Sequence, residues 1–228
     1  MNVTTNLRAT KRYLGPHPGI LAIVYIVLFM ASIILFSVFA HGATFPSPFS
    51  DLGKFQQLVK DFPAALKANS LLQVASAMPL GIFTAAIVSK TRSLGVMAAG
   101  PTLALFGGIT ASLFVSLSGV SSWIITQPGV ADNVETVRVL RLLGFATGGI
   151  THAMALGLLM AGISVPCLLR KYTPAWMAWL GIILGFLAQV SMFGLVLESA
   201  FILLPIVRFG SYIWMVSTGF SLMKNKSV

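Results

Sequence analysis

The sequence predicts an all-α protein, a polytopic bundle of six transmembrane helices with both termini cytoplasmic. Three observations carry this expectation. Hydrophobic residues make up 57% of the chain and charged residues only 9%, with a mean hydropathy of +0.91; soluble domains average about 45–50% and about 25%. Six apolar runs each reach the ~20 residues that a bilayer-spanning helix needs. Lys and Arg gather in short segments between those runs and are unequally shared between the two sides. The same composition excludes disorder, which needs low hydrophobicity and high charge. One cysteine, Cys167, excludes a disulfide scaffold. A formal net charge of +10 would suggest nucleic acid in a soluble protein. Here no soluble segment is long enough to present a basic face. The expected partner is the lipid bilayer, and no nucleic-acid partner is expected.

The spans are expected at residues 19–40, 69–89, 94–117, 140–169, 174–197 and 200–223, forming one integral membrane domain over residues 1–228. The first ends in Val38-Phe39-Ala40, which would fit a signal-peptide cleavage site. Its apolar run is longer than the ~7–15 residues of a signal core, so it is expected to remain as a span. Pro63 predicts an early opening for the second helix. Asp132 followed three residues later by Glu135 reads as a capping box. That places the fourth helix start about two turns before its apolar part, so this helix should protrude from the membrane. The fourth run is longer than a bilayer requires and predicts a tilt, or a kink at Pro166. Thr173-Pro174 predicts an N-cap and first-turn proline for the fifth helix.

Two longer connections join these runs, at residues 41–68 and 118–139. In the first, Phe49, Leu52, Phe55 and Leu58 recur every three residues, consistent with a short amphipathic helix. It would pack over the bundle or lie as an interfacial lid. Trp123, Trp176, Trp179 and Tyr172 fall near predicted span ends, where interfacial aromatics gather.

Charge sets the expected orientation. One set of connections and termini holds Arg8, Lys11, Arg12, Lys90, Arg92, Arg170, Lys171, Lys224 and Lys226, with no acidic residue. The other holds Lys54, Lys60, Lys67, Arg138 and Arg141 against Asp51, Asp61, Asp132, Glu135 and Glu198. Cytoplasmic connections carry the excess of Lys and Arg, so the first set is assigned to the cytoplasm. The location expected is the inner (plasma) membrane.

Several stretches carry a family likeness. They are Asn69-Ser70-Leu71-Leu72-Gln73 through Ala77-Met78-Pro79-Leu80-Gly81-Ile82, then Ala104-Leu105-Phe106-Gly107-Gly108 and Phe145-Ala146-Thr147-Gly148-Gly149. Phe201-Ile202-Leu203-Leu204-Pro205 with Arg208-Phe209 completes the set. Over roughly residues 20–222 the chain resembles bacterial six-span membrane proteins of the domain of unknown function 4386 family. The resemblance implies a bacterial inner-membrane location and supplies no reaction, substrate or cofactor.

The candidate site centres on Arg208, inside the sixth span and about 12 Å from its outer end at 1.5 Å per residue. Arg well inside a bilayer costs roughly 2.5–3.5 kcal/mol on insertion scales, which demands a polar surrounding or a partner. An Arg side chain facing lipid at that depth could not snorkel to the surface. Arg208 is therefore expected to face the bundle interior. Ser211 and Tyr212 follow on the same stripe, Gln189 lies at similar depth, and Asn69, Gln73 and Ser76 share a face of span two. These groups could converge on an outward-facing polar pocket with Arg208 at its floor. Two roles stand open. Arg208 pairs with Glu198 and fixes the turn between spans five and six, or it joins Arg141 in receiving an anionic group such as a lipid phosphate or a carboxylate.

In span four, Gly144, Gly148 and His152 share one stripe with Arg141. Gly149, Ala153, Gly157 and Ala161 form a second, and span five repeats the device with Gly181, Gly185 and Gln189. Small residues at this spacing let helices approach closely. His152 and Gln189 are then interhelical hydrogen-bonding groups, or His152 lines a polar cavity or relays protons. No cofactor or metal is expected. His17 and His41 stand about 36 Å apart across span one, and His152 meets neither. No Gly-x-Ser-x-Gly elbow and no deep carboxylate occurs, which argues against an enzyme and against ion-coupled transport. The expected function is binding of a lipid or small anionic amphiphile in an outer-leaflet cavity. A transporter or an accessory subunit of a membrane complex is the alternative.

Overall fold

In apolar surroundings a chain must satisfy its own backbone polar groups, and an α-helix does so within one segment. The computed structural model describes residues 13–43, 49 and 51–225. Among these the chain is helical and contains no strand. Helix α1 spans Pro18–Phe39, α2 Leu52–Asp61, α3 Pro63–Ser93, α4 Gly100–Ile125 and α5 Val134–Phe145. A π-helical segment, Ala146–Thr151, joins α5 to α6, His152–Arg170. Helix α7, Ala175–Val190, ends in a 3-10 turn, Ser191–Leu195. A second 3-10 turn, Glu198–Ile202, leads into α8, Leu203–Lys224. Six helical stretches are long and apolar enough to cross a membrane: Pro18–Phe39, Pro63–Ser93, Gly100–Ile125, Val134–Arg170, Ala175–Leu195 and Glu198–Lys224.

Local chemistry explains most boundaries and corrects three expectations. Helix α3 opens with Pro63 at its first position, where the missing N–H costs nothing. Helix α2 is capped by Asp51, whose carboxylate accepts from the Lys54 N–H at 3.1 Å. It lays Phe55 and Val59 onto the bundle. The fourth span is capped by Asn133, not Asp132. The Asn133 side chain accepts from the Thr136 N–H at 3.0 Å, while Asp132 sits in a preceding 3-10 turn, Val130–Asp132. Thr173 does not cap α7, which begins at Ala175 without a side-chain cap. The irregularity of the fourth span is the π-helical segment, not Pro166, which lies inside α6.

The spans pack in a closed circuit: α1 on α3, α3 on α4, α4 on α6, α6 on α7, α7 on α8, and α8 back on α1. The fourth span is the most enclosed. Leu156, Leu159, Met160 and Ile163 of α6 meet Phe83 and Ile87 of α3, Tyr25 of α1 and Trp214 of α8 in one core. Glycine allows these approaches. A Cβ on Gly162 would stand 2.5 Å from the Gly100 carbonyl, and one on Gly107 2.6 Å from the Ala155 carbonyl. Gly157 meets Ala188 and Gly185 in the same way. Apolar side chains cover the outer faces, among them Ile23 and Val27, Leu71 and Met78, Phe106 and Leu113, Phe186, and Ile213.

The two ends differ in charge. Lys90, Arg92, Arg170, Lys171 and Lys224 lie at one end, where Lys90 Nζ donates to the Asn225 carbonyl at 2.7 Å and Tyr172 Oη to the Leu94 carbonyl at 2.6 Å. Arg8, Lys11, Arg12 and Lys226, assigned to the same side from sequence, lie outside the described residues. At the other end α2 is tied down by Lys60 to Asp132 at 2.8 Å and by Gln56 Nε2 donating to the Ala131 carbonyl at 2.7 Å.

The α4–α6 approach predicts a sharp contrast. Gly162→Leu should destabilise the detergent-solubilised protein by about 1–3 kcal/mol, the usual cost of overpacking. Gly144→Ala, whose methyl would meet nothing closer than 3.8 Å, should leave the melting temperature nearly unchanged. Equal melting of the two variants would refute the packing.

A candidate ligand cavity

A cavity of about 360 Å³ lies in the half of the bundle that carries α2. Helix α1 contributes Phe29, Ser32 and Ile33, and α3 contributes Asn69 and Gln73. Ser118 and Ser122 come from α4, and Arg141, Gly144 and Phe145 from α5. The π-helical segment adds Gly148 and Gly149, and α8 adds Leu204, Pro205, Arg208 and Phe209. No carboxylate is among these residues.

Its floor is an arginine held by a helix irregularity. In an unbroken α-helix the His152 N–H would serve the Gly148 carbonyl. The π-helical turn redirects that N–H to the carbonyls of Thr147 and Gly149. The Gly148 carbonyl instead accepts from the Arg208 guanidinium. Arg208 also stacks over the Phe29 ring, 4.8 Å from its centroid. Gly148 uses only part of the five-donor fork of Arg208. The expected pairing with Glu198 is not made. Glu198 is exposed at the start of the 3-10 turn before α8, and the carbonyl one helix away is the nearer partner.

The rest of the polar wall is a chain of helix-to-helix hydrogen bonds. Gln73 Nε2 donates to Ser118 Oγ at 3.2 Å, and Ser118 Oγ donates to the Gly144 carbonyl at 2.8 Å. Asn69 Nδ2 donates to the Ser32 carbonyl at 3.2 Å. Gly148 is needed where it stands, because a Cβ there would lie 2.3 Å from Ser118 Oγ. Arg141 is buried and stacks over Phe55 of α2, 4.4 Å from the ring centroid. Asp51, the cap of α2, acts on it electrostatically. Arg141 precedes Gly148 by seven residues, so the two arginines hold points roughly 10 Å apart along one wall. Phe145 packs against Phe201 at 5.1 Å between centroids and Phe49 at 5.5 Å, while Phe49 stacks on Phe201 at 5.2 Å. Phe145 is the member of this trio that lines the cavity.

Of the residues singled out from sequence, Arg208, Arg141 and Gln73 line the cavity, and Asn69 joins them. His152, Gln189, Tyr212 and Glu198 do not. His152 is fully buried below the cavity, with Nδ1 2.9 Å from the Ala111 carbonyl and Nε2 3.4 Å from Tyr25 Oη. A carbonyl can only accept, so Nδ1 carries the proton and Nε2 accepts from the tyrosine. Gln189 Nε2 donates to the Met154 carbonyl at 3.0 Å and ties α7 to α6. Tyr212 packs edge-on against Tyr25, 5.8 Å between centroids. Ser76 turns back to its own helix, donating to the Gln73 carbonyl at 2.7 Å. Cys167 is buried in the core. Among the described residues no three His, Cys, Asp or Glu come together as a metal site.

Sequence reasoning missed Phe29, Phe55, Ser32 and Ser118. Aromatic and serine residues in apolar runs carry no signal of their own. Their role comes from lying opposite an arginine or a carbonyl on another helix. Thr147-Gly148-Gly149 was the legible hint of a helix irregularity. No family model, curated protein or solved structure matches the chain.

The His152 bridge yields its own expectation. His152→Leu removes the acceptor facing the Tyr25 hydroxyl and the added donor on the Ala111 carbonyl in a dry core, at a cost of about 1–3 kcal/mol. The melting temperature in detergent should fall, and an unchanged one would show that the bridge contributes nothing.

Proposed function

We propose that this cavity binds an anionic amphiphile, with its phosphate or carboxylate on Arg208 and Arg141 and its apolar part along Phe29, Ile33, Leu204 and Phe209. One observation carries the reading: two arginines line a mostly apolar cavity whose lining holds no carboxylate. Each guanidinium carbon lies over an aromatic ring. Arg208 gives part of its planar fork to Gly148, and such a fork suits carboxylate and phosphate. The volume lies at the small end of the ~300–1,000 Å³ typical of ligand sites. It suits a headgroup with part of one chain, not a whole two-chain lipid.

Further support comes from the residues behind the resemblance to the domain of unknown function 4386 family. Asn69, Gln73, Phe145, Gly148, Gly149, Arg208 and Phe209 all belong to those stretches and all line the cavity. Membership of that family is proposed with the site. We propose that both termini lie in the cytoplasm and the cavity in the outer leaflet of a bacterial inner membrane; the charge difference between the two ends, read by the positive-inside rule, supports the orientation.

Two measurements test this. Reporter fusions after residue 228 and within α2 should report cytoplasm and periplasm, respectively, and a periplasmic C-terminus would overturn the orientation. Dodecyl phosphate binding to the purified protein should weaken by roughly 10–100-fold in Arg208→Gln, the loss of a charged hydrogen bond worth about 1.5–3 kcal/mol. Arg208→Lys should fall between, because it keeps the charge and loses the fork. Equal binding by wild type, Arg208→Gln and Arg141→Gln would remove the proposal.

A further inference from the structure

We infer that the cavity opens sideways into the membrane, between α1 and α8, and that its occupant is a membrane amphiphile whose chain leaves through that gap. This rests on the anion-binding reading above and adds the route and the source of the ligand.

The lining residues divide by exposure. Those from α3 and α4 are buried or half-buried, as are those from α5 and the π-helical segment. The exposed ones are Ile33 on α1 and Pro205 and Phe209 on α8. Ile33 is 43% exposed and Phe209 52%, so the cavity meets the outside along the seam between these two helices.

The packing of that seam explains why. At the basic end α1 and α8 are in tight contact. A Cβ on Gly219 would stand 2.7 Å from the Gly19 backbone nitrogen, and the His17 and Phe220 rings lie 4.7 Å apart. At mid-height Phe29 meets Arg208 and Tyr212. Above that level the helices turn to different neighbours. Phe36 and Ala40 of α1 join a cluster with Phe55 and Val59 of α2 and Leu66 of α3, to which α8 contributes nothing. Leu204 of α8 instead faces Gly149 of the π-helical segment. The two helices are thus drawn apart just above the Arg208 floor.

The gap is flanked by isoleucine, proline and phenylalanine and faces the same direction as the apolar outer surface. Elsewhere Phe145 of the lining packs against Phe49 and Phe201. A lipid or fatty anion in the adjoining leaflet needs only to slide its headgroup between Ile33 and Phe209 to reach Arg208, with its chain still in the bilayer. This arrangement also reconciles a cavity too small for a whole lipid with a lipid ligand.

The test is photo-crosslinking in nanodiscs of phosphatidylcholine with a minor fraction of phosphatidylglycerol. A benzophenone amino acid is placed at position 33 or 209, and, as controls, at the outward-facing positions Leu113 and Phe186. All four side chains are exposed, so the substitutions leave the core intact. Phosphatidylglycerol should be enriched several-fold over its bulk fraction among crosslinks from 33 and 209. Crosslinks from 113 and 186 should mirror the bulk, and Arg208→Gln should abolish the enrichment. A large excess of inorganic phosphate should leave it in place. Enrichment missing at 33 and 209 while dodecyl phosphate binding still depends on Arg208 would overturn the lateral opening alone. Binding indifferent to Arg208→Gln would overturn the site itself. Loss of the crosslinks to inorganic phosphate would make the ligand a soluble anion and refute the membrane source.

Discussion

The contact between Arg208 and the Gly148 carbonyl is the constraint on which this half of the protein depends. An arginine deep in an apolar bundle needs acceptors, and a helix carbonyl is normally committed to its own ladder. The π-helical turn at Ala146–Thr151 resolves both problems together. It withdraws the His152 N–H from Gly148, and the guanidinium of a neighbouring span takes its place. The turn would strand a buried carbonyl without Arg208. The arginine would have only an aromatic face without the turn. Each irregularity stabilises the other, and together they leave an open volume where a regular helix would have packed closed.

The remainder of the bundle is held by a different physics. In lipid there is little hydrophobic gain in bringing helices together, so close packing and interhelical hydrogen bonds do the work. Gly162 against Gly100 and Gly107 against Ala155 bring α4 and α6 into backbone contact. His152, Gln189 and Ser164, the last accepting from Trp214 Nε1 at 2.9 Å, join helices through single polar groups in dry surroundings. These groups are engaged in packing one helix on another. Arg208 keeps unspent donor capacity, as a five-donor fork does when one carbonyl is its partner. That contrast separates the structural polar residues of this protein from those suited to meet a ligand.

The opening between α1 and α8 follows from the same division. The glycine contact at Gly19 and Gly219 closes the basic end. At the other end, α1 is drawn to the amphipathic helix α2 and α8 to the π-helical segment. Helix α2 itself brings Phe55 beneath Arg141 and Asp51 near it. A loop helix that looks like a cover in sequence is therefore also part of the cavity wall.

The sequence alone determined the six spans, because length and apolarity answer to the bilayer and need no knowledge of neighbours. It determined that Arg208 must find polar company, because the cost of a lipid-facing arginine depends on depth only. It also marked the glycine stripes, whose spacing is a property of one helix. What it could not settle is which partner each polar group would choose. Glu198 was an admissible partner for Arg208 by distance along the chain, and Asp132 an admissible cap beside Asn133. The Asn133 cap was settled locally, with Asp132 taken up in a 3-10 turn. The tertiary structure decided for Gly148 because that choice depends on a helix turn that one-dimensional periodicity does not encode. The same holds for His152, placed by its stripe on the interior face but sent by the π-helical turn to Ala111 and Tyr25 below the cavity. A period-3.6 reading assumes an unbroken helix, and one wide turn rotates every residue that follows it.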